Sequence, residues 1–113
     1  MQNKKYLFRG LQLVMCFYCL TSFTCTWYGG QFHGNFTKSG EVFDKNKLTA
    51  ASNHFKLGTK LKITNLENGK SVIVKVNDTG AFKDKNIDLS EGAFKRIADL
   101  KKGRINIRVN KIN

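Results

Sequence analysis

The residues best equipped for chemistry in this chain are two carboxylates set beside turns. Asp78 stands in Asn77-Asp78-Thr79-Gly80, directly after the apolar alternating run Val72 to Val76. A strand ending there turns and presents a side chain to a cleft. A carboxyl group in such a place can act as general acid and then as base, once its surroundings raise its pKa. The competing account is that Asp78 bonds the backbone of its own turn, a common use of Asx residues. Glu41, in Ser39-Gly40-Glu41, is the second candidate. A carboxylate near Asp78 would raise its neighbour's pKa, whereas an exposed Glu41 would be only a surface charge. His33 and His54 lack partners at metal-ligand spacing, so neither a metal nor a cofactor is expected.

The elements that must hold these residues read as short strands. Lys60-Leu61-Lys62-Ile63-Thr64 alternates, and so does Ser71 to Val76, with Asn68-Gly69 between them as a tight hairpin turn. Asp88 or Ser90 can cap a short helix whose apolar face is Ala93, Phe94, Ile97 and Leu100, with Gly103 to stop it. Ile105, Ile107 and Val109 then alternate with Arg104, Asn106 and Arg108 as a last half-buried strand. Many short strands, glycines at 29, 30, 34, 40 and 58, and one helix predict a small closed barrel.

The chain has 113 residues, enough for one domain and too few for two. Twenty Lys and Arg against eight Asp and Glu predict attraction to polyanions. The composition is uneven. Lys4, Lys5 and Arg9 precede an uncharged stretch from Gly10 to His33, most apolar over Leu11 to Leu20. A basic start, an apolar run and then small polar residues form the anatomy of an export signal. Residues 1–25 are therefore read as a signal peptide or a membrane or lipid anchor, and residues 26–113 as the domain. Without that segment seventeen cationic side chains still face eight acidic ones. Cys16-Phe-Tyr-Cys19 lies inside the apolar run, where chance explains it better than redox chemistry. Cys25 is a weak candidate for lipidation, since Ser22-Phe23-Thr24 is a poor version of the lipoprotein pattern.

A series of short motifs occurs in one order: Trp27-Tyr28-Gly29, Phe32-His33-Gly34, Thr37-Lys-Ser-Gly40-Glu41, Leu48-Thr-Ala-Ala51, Leu57-Gly-Thr59, Thr64-Asn-Leu66, Asn68-Gly69, Val76-Asn-Asp78 and Ile87-Asp-Leu-Ser90. In this order and spacing the chain resembles the rare lipoprotein A family of bacterial endolytic peptidoglycan transglycosylases, from about Cys25 to Val109. The resemblance implies a mainly β fold, a six-stranded double-psi β-barrel with one or two short helices, related to the expansin catalytic domain. It also implies Asp78 as the catalytic aspartate and Glu41 as a functional glutamate. Typical relatives carry His directly after Thr-Ala-Ala; here that place is Ser52, with His54 two residues on. Ser52 is taken as the spatial replacement, although serine cannot titrate near neutral pH as histidine does. Thr79 and Ala81 likewise replace the family's Arg and Pro after Asp78, removing a cation beside the acid.

The implied reaction needs one carboxyl group. A lytic transglycosylase protonates the glycosidic oxygen and lets the muramic C6 hydroxyl attack, forming a 1,6-anhydro ring without water. Trp27, Tyr28, His33, Thr37 and Asn77 are the expected substrate-binding residues, aromatic faces being suited to sugar rings. The expected partner is the peptidoglycan glycan strand, met by a monomer exported to the bacterial envelope and associated with the membrane through its first residues. The alternative is a non-catalytic glycan-binding or expansin-like wall-loosening module. A nucleic-acid-binding domain is permitted by charge alone, and the export signal argues against it.

Overall fold

The computed structural model describes residues 23–82 and 84–112. Of the export or anchor segment, residues 1–22 lie outside the described residues, and so does the Cys16–Cys19 pair. Six strands follow in chain order: β1 (Phe23–Tyr28), β2 (Thr49–Ala51), β3 (Lys60–Asn65), β4 (Ser71–Asp78), β5 (Asn86–Ser90) and β6 (Ile105–Lys111). One helix, α1 (Glu91–Ile97), and two 3-10 turns, Gly30–Phe32 and Leu100–Lys102, complete the regular structure of the described residues. The strands close into a barrel in the order β1-β5-β2-β4-β3-β6. Two of the pairings, β1 with β5 and β2 with β4, are parallel; the others are antiparallel. The six-stranded barrel expected from the sequence is the one observed.

Period-2 alternation builds the core. Leu61 and Ile63 of β3, Val72, Val74 and Val76 of β4, and Ile105 and Ile107 of β6 are buried, while Lys60, Lys62, Ser71 and Ile73 face out. Ile87 and Leu89 of β5 join them, as do Ala93, Phe94 and Ile97 from α1. Full burial of each such side chain contributes about 1.5–3 kcal/mol, set against the conformational freedom it loses.

β1 begins earlier than the domain boundary drawn after residue 25. Phe23, Thr24 and Cys25 pair with Ile107, Asn106 and Ile105 of β6, and this contact closes the barrel. Cys25 is fully buried between β5 and β6, and burial, then the charge of Asp88, pushes its thiol up to about 12. Cys25, the weak lipidation candidate, thus lies in the core of the barrel. An acylated sulfur would have to leave the core and take the centre of β1 with it.

The Asn68-Gly69 turn is longer than the two-residue turn expected. It spans residues 66–70, closed by Asn65 N–H donating to the Lys70 carbonyl (2.8 Å) and Gly69 N–H to the Asn65 carbonyl (2.8 Å). Gly69 within it takes a positive φ, of 76°. Ser90, not Asp88, caps α1, its hydroxyl accepting from Ala93 N–H at 3.2 Å. Gly92 lets the loop before β2 close on the helix, because a Cβ there would sit 2.8 Å from the Asn46 carbonyl oxygen.

Candidate functional site

The neighbour that matters most to Asp78 comes from a strand not adjacent to its own. Ala51 of β2 pairs with Asp78 of β4 on one side and with Asp88 of β5 on the other. The two aspartates therefore flank Ala51, two strand spacings or roughly 10 Å apart at their Cα atoms. A β-bulge between Ala50 and Ala51 shifts the register there and turns Asp78 toward the same opening. Both carboxylates line one cavity of about 420 Å³, walled by Tyr28, Phe32, Phe36, Phe43 and Phe82 and by Thr37.

The two acids live in different surroundings. Asp78 Oδ1 accepts two backbone N–H groups, from Lys38 (3.0 Å) and Thr79 (2.9 Å), and is thereby fixed as an acceptor. Asp88 sits deeper, and its carboxyl is pushed above the usual aspartate range. Burial is the chief cause and the charge of Asp78 adds to it, opposed by a hydrogen bond from Thr26 and by the Arg104 guanidinium. Its Oδ1 accepts from the Thr26 hydroxyl at 2.9 Å. Thr26 in turn accepts from Asn86 Nδ2 (3.0 Å), and Asn86 Oδ1 accepts from Thr24 (2.8 Å) and from Arg104 (3.3 Å). The parallel register of β1 and β5, Thr24 with Asn86 and Thr26 with Asp88, lays this polar ladder along one barrel face.

Tyr28 continues that face. Its ring stacks on Phe43 with centroids 4.5 Å apart, and its buried hydroxyl has no hydrogen-bond partner among the described residues. Burial, then the charges of Asp78 and Asp88, push the phenol well above its ordinary pKa, so it stays a hydrogen-bond donor. The far lip is held by Asn53, whose amide donates to the Gly80 carbonyl (2.7 Å) and accepts from Gly80 N–H (3.1 Å). Gly80 lies beneath the Phe82 ring, and a Cβ there, 2.4 Å from that ring, would force it to move.

Of the residues expected from sequence, Asp78, Tyr28 and Thr37 meet in this cavity. The others lie elsewhere. Glu41 is bound by Lys75 and by Asn77 Nδ2 (3.1 Å), and the Lys75 hydrogen bond, then that of Asn77, holds its carboxyl below the usual glutamate range. The carboxylate sharing the cavity with Asp78 is Asp88, not Glu41. Ser52 is buried; its N–H donates to the Asp78 carbonyl (3.0 Å), and its hydroxyl accepts from His54 N–H (3.0 Å). The His54 ring meets Phe23 edge-on at 5.5 Å, outside the cavity lining. Trp27 donates from Nε1 to the Leu100 carbonyl (3.0 Å) and borders a smaller cavity with Gly29, Gly30 and Glu91. His33 Nδ1 accepts from Lys45 N–H at 3.2 Å.

Asp88 and Asn53 escaped the sequence reading. Ile87-Asp-Leu-Ser90 alternates as a buried strand, and the charged residue on its outward face was the available signal.

Residues 22–109 match the lytic transglycolase family. The chain is 42% identical over 88 residues to the endolytic peptidoglycan transglycosylase RlpA of Vibrio cholerae, covering 77% of this chain and 34% of that protein. It is 44% identical over 91 residues to the protein of the same name from Pseudomonas aeruginosa strain UCBPP-PA14, covering 80% of this chain and 27% of that one. The chain thus spans about a third or less of the length of these curated relatives. Among solved structures, the apo expansin of Clavibacter michiganensis superposes with a TM-score of 0.68 at 25% identity, over 82% of this chain and 50% of that one. With its ordered motifs, its closed six-stranded barrel and a match over most of its length, this chain belongs to the lytic transglycolase family.

Proposed function

We propose that this domain cleaves peptidoglycan glycan strands as a lytic transglycosylase, leaving 1,6-anhydro-muramic ends. The observation that carries this reading is a pair of unlike carboxyl groups in one aromatic-walled cavity, Asp88 held toward its neutral form and Asp78 fixed as an acceptor. Thr26 occupies Asp88 Oδ1, so Oδ2 holds the proton. That proton passes to the O4 leaving oxygen as the C1–O4 bond between muramic acid and glucosamine breaks. Asp78 stabilises the positive charge that develops at C1. The C6 hydroxyl oxygen then bonds to C1, and its proton returns to Asp88. No water is consumed.

Incubating the protein with peptide-free glycan strands and assaying 1,6-anhydro products by mass spectrometry tests this reading. Asp88→Asn should lower product formation by about 10²–10⁴-fold, the usual worth of a general acid–base. A variant as active as the parent would remove Asp88 from the role.

One observation favours the alternative of a non-catalytic glycan-binding module: neither Ser52 nor His54 lines the cavity, so no imidazole adjoins the acids. A parent protein that binds glycan yet never yields anhydro ends would establish it. We further infer export to the cell envelope, attachment to the membrane through the N-terminal segment, and a monomeric state. The charge pattern before residue 26 supports the first two. Fractionation of cells and light scattering would test all three.

A further inference from the structure

The cavity walled by Asp78 and Asp88 is bounded on one side by the loop from Phe36 to Val42, whose ends bridge to each other. Across that loop lies a second hollow of about 710 Å³, lined by Glu41, Val42, Leu48, Thr49, Lys75 and Asn77. Thr49 precedes Ala51 by two residues on β2, so the two hollows stand about 7 Å apart along that strand.

Two buried polar atoms here have no partner among the described residues: Asn77 Oδ1 and Thr49 Oγ1. Asn77 is only 2% exposed. Its amide orientation is fixed, because Nδ2 must face the Glu41 carboxylate, to which it donates at 3.1 Å. Oδ1 is therefore an acceptor without a donor. Such an atom costs stability when buried, and a ligand N–H or O–H placed there recovers that cost.

Charge narrows the ligand further. Lys75 is paired with Glu41, and the remaining Lys47 and Asp44 on the lining carry opposite signs, so the hollow offers no net field to an ion. Val42, 54% exposed, and the partly buried Leu48 add an apolar wall.

We propose that this second hollow is a binding site for the acetamido group of a neutral sugar ring, its N–H donating to Asn77 Oδ1, its methyl against Val42 and Leu48, and a ring hydroxyl on Thr49 Oγ1. The assignment rests on the glycan reading above and names the sugar substituent that this part of the protein recognises.

Titrating the isotope-labelled full chain with chitotetraose and with cellotetraose, which differ at the 2-acetamido position, tests it by NMR. Chitotetraose should shift the Thr49 backbone amide and the Asn77 side-chain amide. Cellotetraose should bind there roughly tenfold more weakly, the scale of one hydrogen bond and one buried methyl. Thr49→Val removes a hydroxyl that has no partner among the described residues, so it should melt no lower than the parent while losing chitotetraose affinity. Thr49→Ser should retain that affinity. Equal binding of both sugars at Thr49 would overturn the acetamido assignment. Shifts confined to Tyr28, Asp78 and Asp88 would overturn the second site and leave the glycan reading standing. Absence of any shift with either sugar would overturn both.

Discussion

At the scale of single residues, the chemistry of this barrel turns on how burial separates two aspartates. The raised pKa of Asp88 has a stability consequence beside the catalytic role proposed for it. A group whose folded pKa exceeds its unfolded value stabilises the fold at low pH, and that contribution is lost as pH rises through the folded pKa. At neutral pH this contribution is diminished or gone, so Asp88→Asn should melt higher than the parent there. The gap should close below about pH 3.9, the ordinary aspartate value. Thermal melts of both proteins at pH 3.5 and pH 7 check this, and an Asp88→Asn protein less stable at pH 7 would contradict it. In the same way, product formation should fall as pH rises through the Asp88 pKa, because the acid then lacks its proton. Asp78 was legible in the sequence because a turn motif follows a strand; Asp88 was not. Its partnership with Asp78 depends on Ala51 pairing with both, a contact between segments far apart in the chain. Glu41 was legible as a charged residue beside a glycine, but its pairing with Lys75 and Asn77 depends on where the loop lands on β4.

Elements were easier to read than their joints. Strict alternation in β3, β4 and β6 reports one buried face, and that local signal survives in the barrel. The hairpin was foreseeable, but the length of its turn was not, since Asn65 and Lys70 choose the closing bonds. The start of β1 was hidden because a strand and the tail of an apolar leader look alike in composition. Ser90 illustrates how much one joint carries. Its hydroxyl caps α1 and also donates to the Lys47 carbonyl ahead of β2. Ser90→Ala should cost about 2 kcal/mol, the upper end for a cap, as it also strands a carbonyl. Denaturant unfolding measures this, and a loss under about 0.5 kcal/mol, the scale of an ordinary surface substitution, would mean the hydroxyl joins nothing of consequence. Asn53→Ala should act differently. Releasing the lip at Gly80 and Phe82 should raise KM more than it lowers the melting temperature, as comparison of kinetics and melting will show.

For the whole molecule, net charge and barrel closure set the behaviour. Seventeen cationic side chains after Arg9 against eight acidic ones should draw the protein to the anionic wall polymer. Exposed charges are screened beyond roughly 8 Å at physiological salt, so sedimentation with purified peptidoglycan should weaken as sodium chloride is added. Salt-independent pelleting would assign the attraction to the cavities alone. Closure predicts a sharp difference between truncations. A chain starting at Thr26 loses all three β1–β6 pairs and should unfold without cooperativity, whereas one starting at Ser22 should melt in a single transition. Because β1 and β6 run antiparallel, Phe23 and the end of β6 lie toward the same end of the barrel. Tyr28, on the wall of the acid cavity, is the last residue of β1, about 17 Å along the strand from Phe23. Any tether fixed at the start of β1 or the end of β6 therefore leaves from one pole, the one toward which β4 also runs to end at Asp78, so a tethered domain carries its acid cavity between that pole and Tyr28 at the far end of β1.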